Sequence, residues 1–333
     1  MNLLLAGDLD AAERDAWAAA LRQALPGHHL HLARGAVPDA QIDAAIVANP
    51  PAGSLAGLPA LGLIQSLWAG VDRLLQDPSL PANVPIARMV DPAMTAAMAE
   101  TALWATLALH RGFFNYAAQQ RAGCWQQLPQ RRADEVHVLL LGHGQMGQAV
   151  AQRLTQQGYR VTAWRRGAPT PGAPAGSSAA PVSAVAAVPA ALTPGITVAS
   201  GRAALPGLLA QAQVLINLLP LTPDTRGLLN TPLLAQLPRG AGLVNLARGA
   251  HVVDDDLLAA LHSGQVGHAV LDVFNSEPLP AGHAYWLHPH ATVLPHAAAL
   301  TDVRGAAAVV ARNIHALAAG LPLQHVVGRQ AGY

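Results

Sequence analysis

The amino-acid sequence predicts an α/β protein built from two doubly wound parallel sheets. Short apolar runs occur in two sets along the chain, and helical patterns separate several of them. The runs are apolar almost throughout, which is typical of strands in a sheet that is covered on both faces. The length of 333 residues suits two domains, and the 52% of hydrophobic residues is enough for two cores.

The first set of apolar runs predicts a small parallel sheet near the N-terminus. A helical pattern between the first two strands places Trp17, Leu21 and Leu25 on one face. Asp10 and Glu13 resemble a capping pair at the start of this helix. The predicted strands lie at residues 3–7, 44–49, 61–67 and 85–89.

A long helix is predicted over residues 92–113, where the sequence is rich in Ala, Leu and Met. Its apolar residues face nearly all directions, so we expect it to be buried between domains or in a subunit interface.

The second set of apolar runs predicts a larger sheet. In the segment 231–237, Thr231 as the cap and Pro232 in the first turn indicate the start of one helix, and the aspartates at 254–256 suit the N-terminus of another. A final helix at about 302–319 precedes a strand-like segment at 325–328, which we expect to return to the first domain. The predicted strands of this set lie at residues 136–142, 159–164, 214–220, 242–248, 268–274 and 291–296.

Residues 139–154, "LLLGHGQMGQAVAQRL", combine a buried strand, a glycine-rich turn and an amphipathic helix. Gly142, Gly144 and Gly147 have the G-x-G-x-x-G spacing of dinucleotide-binding sites, a weak signal when it stands alone. We expect Gly142 to allow the tight turn, Gly144 to let a pyrophosphate approach the backbone, and Gly147 to permit close packing of helix on strand. The strand and helix around the motif favour a Rossmann domain.

The next predicted strand ends in Arg165 and Arg166, where an NAD-binding domain carries an acidic residue for the ribose diol. The chain has no Asp or Glu between Glu135 and Asp224. A guanidinium group suits a 2′-phosphate, so we predict NADP(H) as the preferred cofactor, with NAD(H) as a second choice. The alternative interpretation is two solvated arginines at a strand end.

Polar residues of the second set gather where its strands end, which is the edge at which doubly wound sheets bind ligands. Arg248 ends one apolar run, Glu277 follows another, and His296 ends the last. A histidine can protonate the oxygen of a ketone that accepts a hydride, and a carboxylate can orient its ring. An arginine can hold a substrate carboxylate, so the set indicates reduction of a 2-oxo acid. The alternatives are an ordinary salt bridge for Arg248 and a capping role for His296.

Composition excludes several classes of function. The formal net charge is +1 with no charged block, which argues against nucleic acid or a membrane surface as partner. The single cysteine, Cys124, excludes internal disulfides, and the absence of lysine excludes Schiff-base chemistry and a P-loop. The N-terminal apolar run lacks the basic residues of a signal peptide, so we expect a cytoplasmic protein. His29, His31 and the "HPH" at 288–290 lack nearby carboxylates, and we predict no metal site.

Motifs along nearly the whole chain carry a resemblance to a known family. They are "LWAGVD" (67–72), "VDPAMTAAMAE" (90–100), "LGHGQMG" (141–147), "LINLLPLTPDTRGLLN" (215–230), "LVNLARGAHV" (243–252), "LDVFNSEPLP" (271–280) and "LPHAAA" (294–299). Together they resemble the D-isomer-specific 2-hydroxyacid dehydrogenase family, and within it the glyoxylate/hydroxypyruvate reductase A branch.

The resemblance implies a homodimeric reductase of small 2-oxo acids that prefers NADPH. It implies catalytic roles for Arg248, Glu277 and His296, a contact of Asp272 with the nicotinamide amide, and a hold on the substrate carboxylate by N–H groups near Ala69 and Gly70. Trp68 adjoins this turn, so we expect it to line the substrate pocket. The residues expected at the cofactor are Gly142, Gly144, Gln145, Met146, Gly147, Trp164, Arg165, Arg166, Leu219, Pro220, Thr222, Leu246, Ala247, Asp272, His296 and Ala298.

The predicted domains are interleaved along the chain. Residues 1–98 and 299–333 would form a smaller, flavodoxin-like substrate domain, and residues 99–298 a Rossmann domain inserted into it. Residues 167–200, rich in Ala, Pro, Gly and Ser, are predicted to be a surface excursion.

Two other functions share this fold. One is a dinucleotide-gated binding module that acts as a corepressor, against which the intact set of Arg248, Glu277 and His296 argues. The other is an enzyme that oxidises formate or phosphite. Formate enzymes carry a Gln near the catalytic His, where this chain has Glu277.

Overall fold

The computed structural model describes residues 1–167, 195–329 and 332, which group into two compact units. One unit contains Met1–Met94 and the described residues from Thr301 onward; the other contains the described residues from Thr95 to Leu300. The functional names given to the predicted domains, with their boundaries at 1–98, 99–298 and 299–333, stay predictions.

Twelve strands and eight α-helices are seen in the described ranges. The strands are β1 Asn2–Gly7, β2 His29–His31, β3 Ile42–Ala48, β4 Leu63–Ser66, β5 Ile86–Ala87, β6 His137–Leu141, β7 Arg160–Arg165, β8 Ile196–Ser200, β9 Val214–Asn217, β10 Ala241–Asn245, β11 Val266–Leu271 and β12 Ala291–Val293. The helices are α1 Ala11–Ala24, α2 Pro92–His110, α3 Phe113–Arg121, α4 Gln145–Gln156, α5 Leu205–Leu209, α6 Thr231–Leu234, α7 Asp254–Ser263 and α8 Val303–Ala318.

The first unit is a five-stranded parallel sheet in the order β2-β1-β3-β4-β5. Helix α1 begins with the predicted capping box, in which Asp10 and Glu13 each bond the backbone N–H of the other. Helices α1 and α8 pack against each other, and Asn313 of α8 donates to Oε1 of buried Gln65 at 2.7 Å. The C-terminal segment returns as expected, because the N–H of Val327 donates to the carbonyl of Ile86 at 2.8 Å.

The second unit is a seven-stranded parallel sheet in the order β12-β11-β10-β9-β6-β7-β8. Alternate residues of β6 enter different cores: Leu139 and Leu141 face α5, α6 and α7, whereas Val138 and Leu140 face α2 and α4. This is the sheet covered on both faces that the apolar runs predict, so the α/β fold with two doubly wound parallel sheets is confirmed.

Three predictions about elements need correction. Helix α2 ends at His110 rather than at 113, because Gly112 adopts a φ of +69° before α3 begins. Asn230, not Thr231, caps α6, since its Oδ1 accepts the N–H of Leu233 at 3.2 Å.

The third correction concerns the excursion predicted at 167–200. Its last five residues form strand β8, which pairs in parallel with β7. Most of the remainder, residues 168–194, lies outside the described part of the chain. Among the described residues, no helix is both long and apolar enough to span a bilayer.

Candidate active site

The glycine-rich turn joins β6 to α4 at the carboxyl edge of the seven-stranded sheet. Gly142 has a φ of +106°, and a Cβ there would lie 2.8 Å from the carbonyl oxygen of Leu218. A Cβ on Gly147 would overlap the carbonyl oxygen of Gly142. Packing therefore requires glycine at both positions. A Cβ on Gly144, in contrast, would meet no atom within 4 Å, so the fold itself does not require glycine there.

Helix α4 begins with its backbone donors uncapped by side chains. Gly144 is the N-cap residue, and no acidic side chain lies in the first turn. The N–H groups of Gln145, Met146 and Gly147 therefore point out of the N-terminal end of the helix, which is the end that favours anions. The Oε1 atom of Gln145 is buried and has no hydrogen-bond partner among the described residues.

Arg165 and Arg166 lie in different environments at the end of β7. The Nε of Arg165 is buried without a hydrogen-bond partner in the part of the chain that the structure describes. Arg166 donates from Nη1 to Oγ1 of Thr222 and to Oδ2 of Asp224, both at 3.0 Å. Neither arginine is therefore simply a solvated side chain at a strand end.

Two buried asparagines organise the loops that follow β9 and β10. Asn217 and Asn245 are paired in register, and Nδ2 of Asn217 donates to Oδ1 of Asn245 at 3.0 Å. Asn217 also accepts the N–H of Leu219, whereas Asn245 accepts the N–H of Ala247 and donates to the carbonyl of Arg248. These contacts fix the backbone on which the neighbouring candidate residues lie. The sequence pattern did not predict this asparagine pair, although each asparagine interrupts an apolar run near its carboxyl end.

Arg248 follows β10 and lies next to the loop after β11. Its neighbour Gly249 packs so closely on the backbone of Phe274 that a Cβ would overlap it. The N–H of Phe274 in turn donates to Oε1 of Glu277 at 2.9 Å. The strand end that carries Arg248 is thus held beside the loop that carries Glu277.

Glu277 and His296 form a hydrogen-bonded pair. Nδ1 of His296 lies 2.8 Å from Oε2 of Glu277, and both side chains are partly exposed. This hydrogen bond raises the pKa of His296, and the charges of Glu277 and Asp272 add to it against burial and the charge of Arg248. Burial alone would raise the pKa of Glu277, but the hydrogen bonds from His296 and Phe274 and the nearby positive charges outweigh it and lower that pKa.

Asp272 anchors the turn that presents His296. The Asp272 side chain is buried, and its Oδ1 accepts the N–H groups of Ala297 at 2.7 Å and Ala298 at 3.1 Å. Its carbonyl accepts the N–H of His296 at 2.9 Å. His296 has a φ of +53°, a left-handed conformation that is uncommon outside glycine and that surrounding contacts must hold. Burial raises the pKa of Asp272, and the two N–H donors act against that rise.

The three side chains that were predicted to carry the chemistry share one electrostatic environment. The charge of Arg248 adds to the lowering of the pKa of Glu277 and opposes the rise in the pKa of His296. All three residues belong to the second unit and follow neighbouring parallel strands, Arg248 after β10, Glu277 after β11 and His296 after β12.

The predicted substrate residues Trp68, Ala69 and Gly70 belong to the first unit, where they follow β4. The turn is held by Ser66, whose Oγ accepts the N–H of Trp68 at 3.0 Å. The indole of Trp68 is partly exposed and meets Trp17 edge-on, with ring centroids 6.4 Å apart.

Several residues expected at the cofactor have buried side chains, so contact with a ligand would pass through their backbone or a single exposed atom. They are Trp164, Leu219, Thr222, Leu246, Ala247, Asp272 and Ala298. Pro220, Gln145 and Met146 are partly exposed. Within the described residues, no group of three or more His, Cys, Asp or Glu is arranged to hold a metal ion.

Comparison with known proteins decides the family. Residues 103–298 match the model described as the D-isomer specific 2-hydroxyacid dehydrogenase, NAD binding domain. The chain belongs to the D-isomer-specific 2-hydroxyacid dehydrogenase family. Its members are oxidoreductases, and this chain is one of them.

Relatives in this family match over the full length. The glyoxylate/hydroxypyruvate reductase A of Serratia proteamaculans (strain 568) is 38% identical, with 100% of both chains covered. The D-isomer specific 2-hydroxyacid dehydrogenase from Xanthobacter autotrophicus Py2, solved with NADPH and MES, has a TM-score of 0.88 at 35% identity. The NADPH-dependent glyoxylate/hydroxypyruvate reductase from Sinorhizobium meliloti, solved with NADP and sulfate, has a TM-score of 0.83 at 32% identity. Each structure covers 100% of this chain and 99% of its own.

Proposed function

We propose that this family member reduces small 2-oxo acids such as glyoxylate and hydroxypyruvate to 2-hydroxy acids, with NADPH as the preferred reductant. The observation that carries the proposal is the hydrogen bond of 2.8 Å between His296 and Glu277 beside Arg248. Carbonyl reduction of a 2-oxo acid uses a general acid to protonate the oxygen and a positive charge to hold the carboxylate. A histidine with a raised pKa next to a guanidinium can serve both purposes. The relative named glyoxylate/hydroxypyruvate reductase A supports the substrate, and the relative named NADPH-dependent glyoxylate/hydroxypyruvate reductase supports both the substrate and the cofactor.

The glycine-rich turn and Arg165 fit a dinucleotide with a 2′-phosphate. Gly144 leaves open space where a side chain would block the approach of a pyrophosphate to the N-terminus of α4. The buried Nε of Arg165 is an orphaned donor, which a phosphate oxygen would satisfy. When bound, NADPH supplies the hydride that adds to the carbonyl carbon of the substrate.

His296 supplies the proton. Because its Nδ1 is held by Glu277, its Nε2 is the nitrogen left to face a substrate. As negative charge grows on the carbonyl oxygen, the Nε2–H proton moves to that oxygen and completes the alcohol. The Glu277 carboxylate stabilises the imidazolium before this transfer and holds the ring at the angle that the transfer needs.

Arg248 orients the substrate. Its guanidinium can pair with the carboxylate of a 2-oxo acid and polarise the neighbouring carbonyl. The N–H groups near Ala69 and Gly70 are proposed to hold the same carboxylate, with Trp68 at the pocket wall.

Replacement of His296 tests the assignment. We expect His296→Gln to lower kcat for glyoxylate reduction by about 10²–10⁴-fold, because glutamine cannot act as a proton donor to the carbonyl oxygen. His290→Gln, which changes an exposed histidine of the same unit, is the matched control. Full turnover by His296→Gln would contradict the assignment.

The substrate is tested with glyoxylate, hydroxypyruvate, formate and phosphite, assayed with both cofactors. Turnover of the 2-oxo acids supports the proposal, and NADPH production from formate or phosphite would replace it. NADPH binding without any turnover would favour the corepressor-like alternative.

The proposed assembly is a homodimer, as the resemblance implies. The second unit exposes Trp104 on α2 and Phe113 on α3, and a second copy that covered these side chains would remove their apolar surface from water. Sedimentation velocity at micromolar concentration should give twice the 34.3 kDa mass of the chain. A monomer at that concentration would contradict this proposal.

A further inference from the structure

Strand β8 is followed by Arg202, at the edge of the sheet where β7 ends. The two strands pair in parallel with Arg165 opposite Ser200, and the N–H of Gly201 donates to the carbonyl of Arg165 at 3.1 Å. The indole Nε1 of Trp164 donates to the carbonyl of Gly201 at 2.8 Å. Arg202, the next residue, is therefore fixed beside the end of β7.

One carboxylate joins Arg202 to Arg166. Oδ2 of Asp224 accepts from Nη1 of Arg166 at 3.0 Å, and its Oδ1 lies 3.6 Å from Nη2 of Arg202. The Arg202 side chain remains 73% exposed, so its guanidinium keeps donors for another anion. All three side chains line one cavity of about 200 Å³, whose other walls include Trp164 and Leu205.

The charges at this edge do not balance. Among the described residues that line this cavity, Arg166 and Arg202 contribute two positive charges and Asp224 one negative charge, and Arg165 adds a third positive charge at the adjoining end of β7. The buried Nε of Arg165 also has no hydrogen-bond partner among the described residues. A phosphate monoester carries nearly two negative charges at neutral pH and several strong acceptor oxygens, and so matches both the excess charge and the orphaned donor.

We propose that Arg202 is a specificity-determining residue that supplies a further guanidinium for a phosphate monoester on the adenosine ribose. Asp224 pairs with both Arg166 and Arg202, which keeps the two guanidinium groups close enough to bind the same phosphate. The inference rests on the proposed NADPH-dependent function and adds a residue to it.

Binding of cofactor fragments tests the role without catalysis. Calorimetric titration compares adenosine 2′,5′-bisphosphate with AMP, which lacks the 2′-phosphate, on wild type, Arg202→Gln and Arg160→Gln. Arg160 is exposed at the opposite end of β7 and provides a matched control. We expect Arg202→Gln to weaken bisphosphate binding about tenfold, the loss of one charge-assisted hydrogen bond, and to leave AMP binding and the melting temperature unchanged.

The possible outcomes separate the role of Arg202 from the proposed preference for NADPH. A bisphosphate affinity in Arg202→Gln equal to that of wild type, or an equal loss for AMP, overturns the role of Arg202 alone. If wild type binds the bisphosphate no better than AMP, the proposed NADPH preference fails, and the role of Arg202 fails with it. A loss in Arg160→Gln as large as that in Arg202→Gln would show a general charge effect and would also overturn the inference.

Discussion

The hydrogen bond between Glu277 and His296 controls the protonation state of the proposed acid. Because it raises the pKa of His296, the imidazole stays protonated to higher pH than a free histidine. A general acid works only in its protonated form, so reduction should be retained below this pKa and lost as the pH rises through it. The pair therefore widens the active range toward alkaline pH.

Glu277→Gln tests this coupling. Glutamine can still accept from Nδ1 but carries no charge, so the pKa of His296 should fall. We expect the descending limb of the pH profile of kcat/KM for reduction to move to lower pH, with a smaller change in kcat at acid pH. The measurement is a pH series with NADPH and glyoxylate. A descending limb at the wild-type pH would show that Glu277 does not set the pKa of the acid.

At the scale of the element, the glycine-rich turn contains two glycines with different roles. Packing requires glycine at Gly147, whereas only a bound ligand would require it at Gly144. An alanine at Gly147 would overlap the carbonyl of Gly142, whereas an alanine at Gly144 fits open space in an allowed extended conformation. We expect Gly147→Ala to lower the free energy of unfolding by about 1–3 kcal/mol. Gly144→Ala should change that free energy by less than about 1 kcal/mol, because the lower entropy of the unfolded chain and the poorer N-cap act in opposite directions.

NADPH binding should be sensitive to Gly144, although the stability of the fold is not. If the backbone at Gly144 approaches a pyrophosphate, Gly144→Ala should weaken NADPH binding at least about tenfold, or about 1.4 kcal/mol, in a fluorescence titration. Wild-type affinity in Gly144→Ala would show that the pyrophosphate does not approach this residue.

Most strands could be predicted because their signal is local. The runs that become β6, β9, β10 and β11 are apolar on both faces, and this pattern is visible in the sequence alone. Strand β8 was missed because a segment rich in Ala, Pro and Gly precedes it, and because "ITVAS" is less apolar and lies at the sheet edge. Strand β2 has three residues, two of them histidine, and carries too little signal.

The residue types of the candidate site could be proposed from the sequence, but the contacts that hold those residues could not. Arg248, Glu277 and His296 could be selected because polar residues that follow buried strands meet at one edge of a parallel sheet. The side chains that hold them depend on contacts between distant segments. Asp272 accepts the N–H of Ala297 next to His296, and Asn217 pairs with Asn245 before Arg248, and no spacing in the sequence encodes these pairs.

At the scale of the whole molecule, the chain places its candidate residues in both units. The glycine-rich turn and the Arg248, Glu277 and His296 set belong to the second unit, and Trp68, Ala69 and Gly70 belong to the first. The two units have separate hydrophobic cores. In the proposed roles, NADPH contacts residues of the second unit alone, whereas the substrate carboxylate contacts the turn at 67–70 in addition to Arg248, so substrate should add protection at 67–70.

Hydrogen exchange can separate these contributions. We expect NADPH alone to slow amide exchange at residues 142–147 and 246–248 and to leave residues 67–70 unchanged. Addition of oxamate, an unreactive acid with the same carbonyl–carboxylate pair as glyoxylate, should then slow exchange at 67–70. Strand β1, at residues 2–7, serves as the internal reference within the first unit. Protection at 142–147 but not at 67–70 in the ternary mixture would contradict the proposed role of the turn after β4, because a carboxylate held by its N–H groups must shield them from solvent.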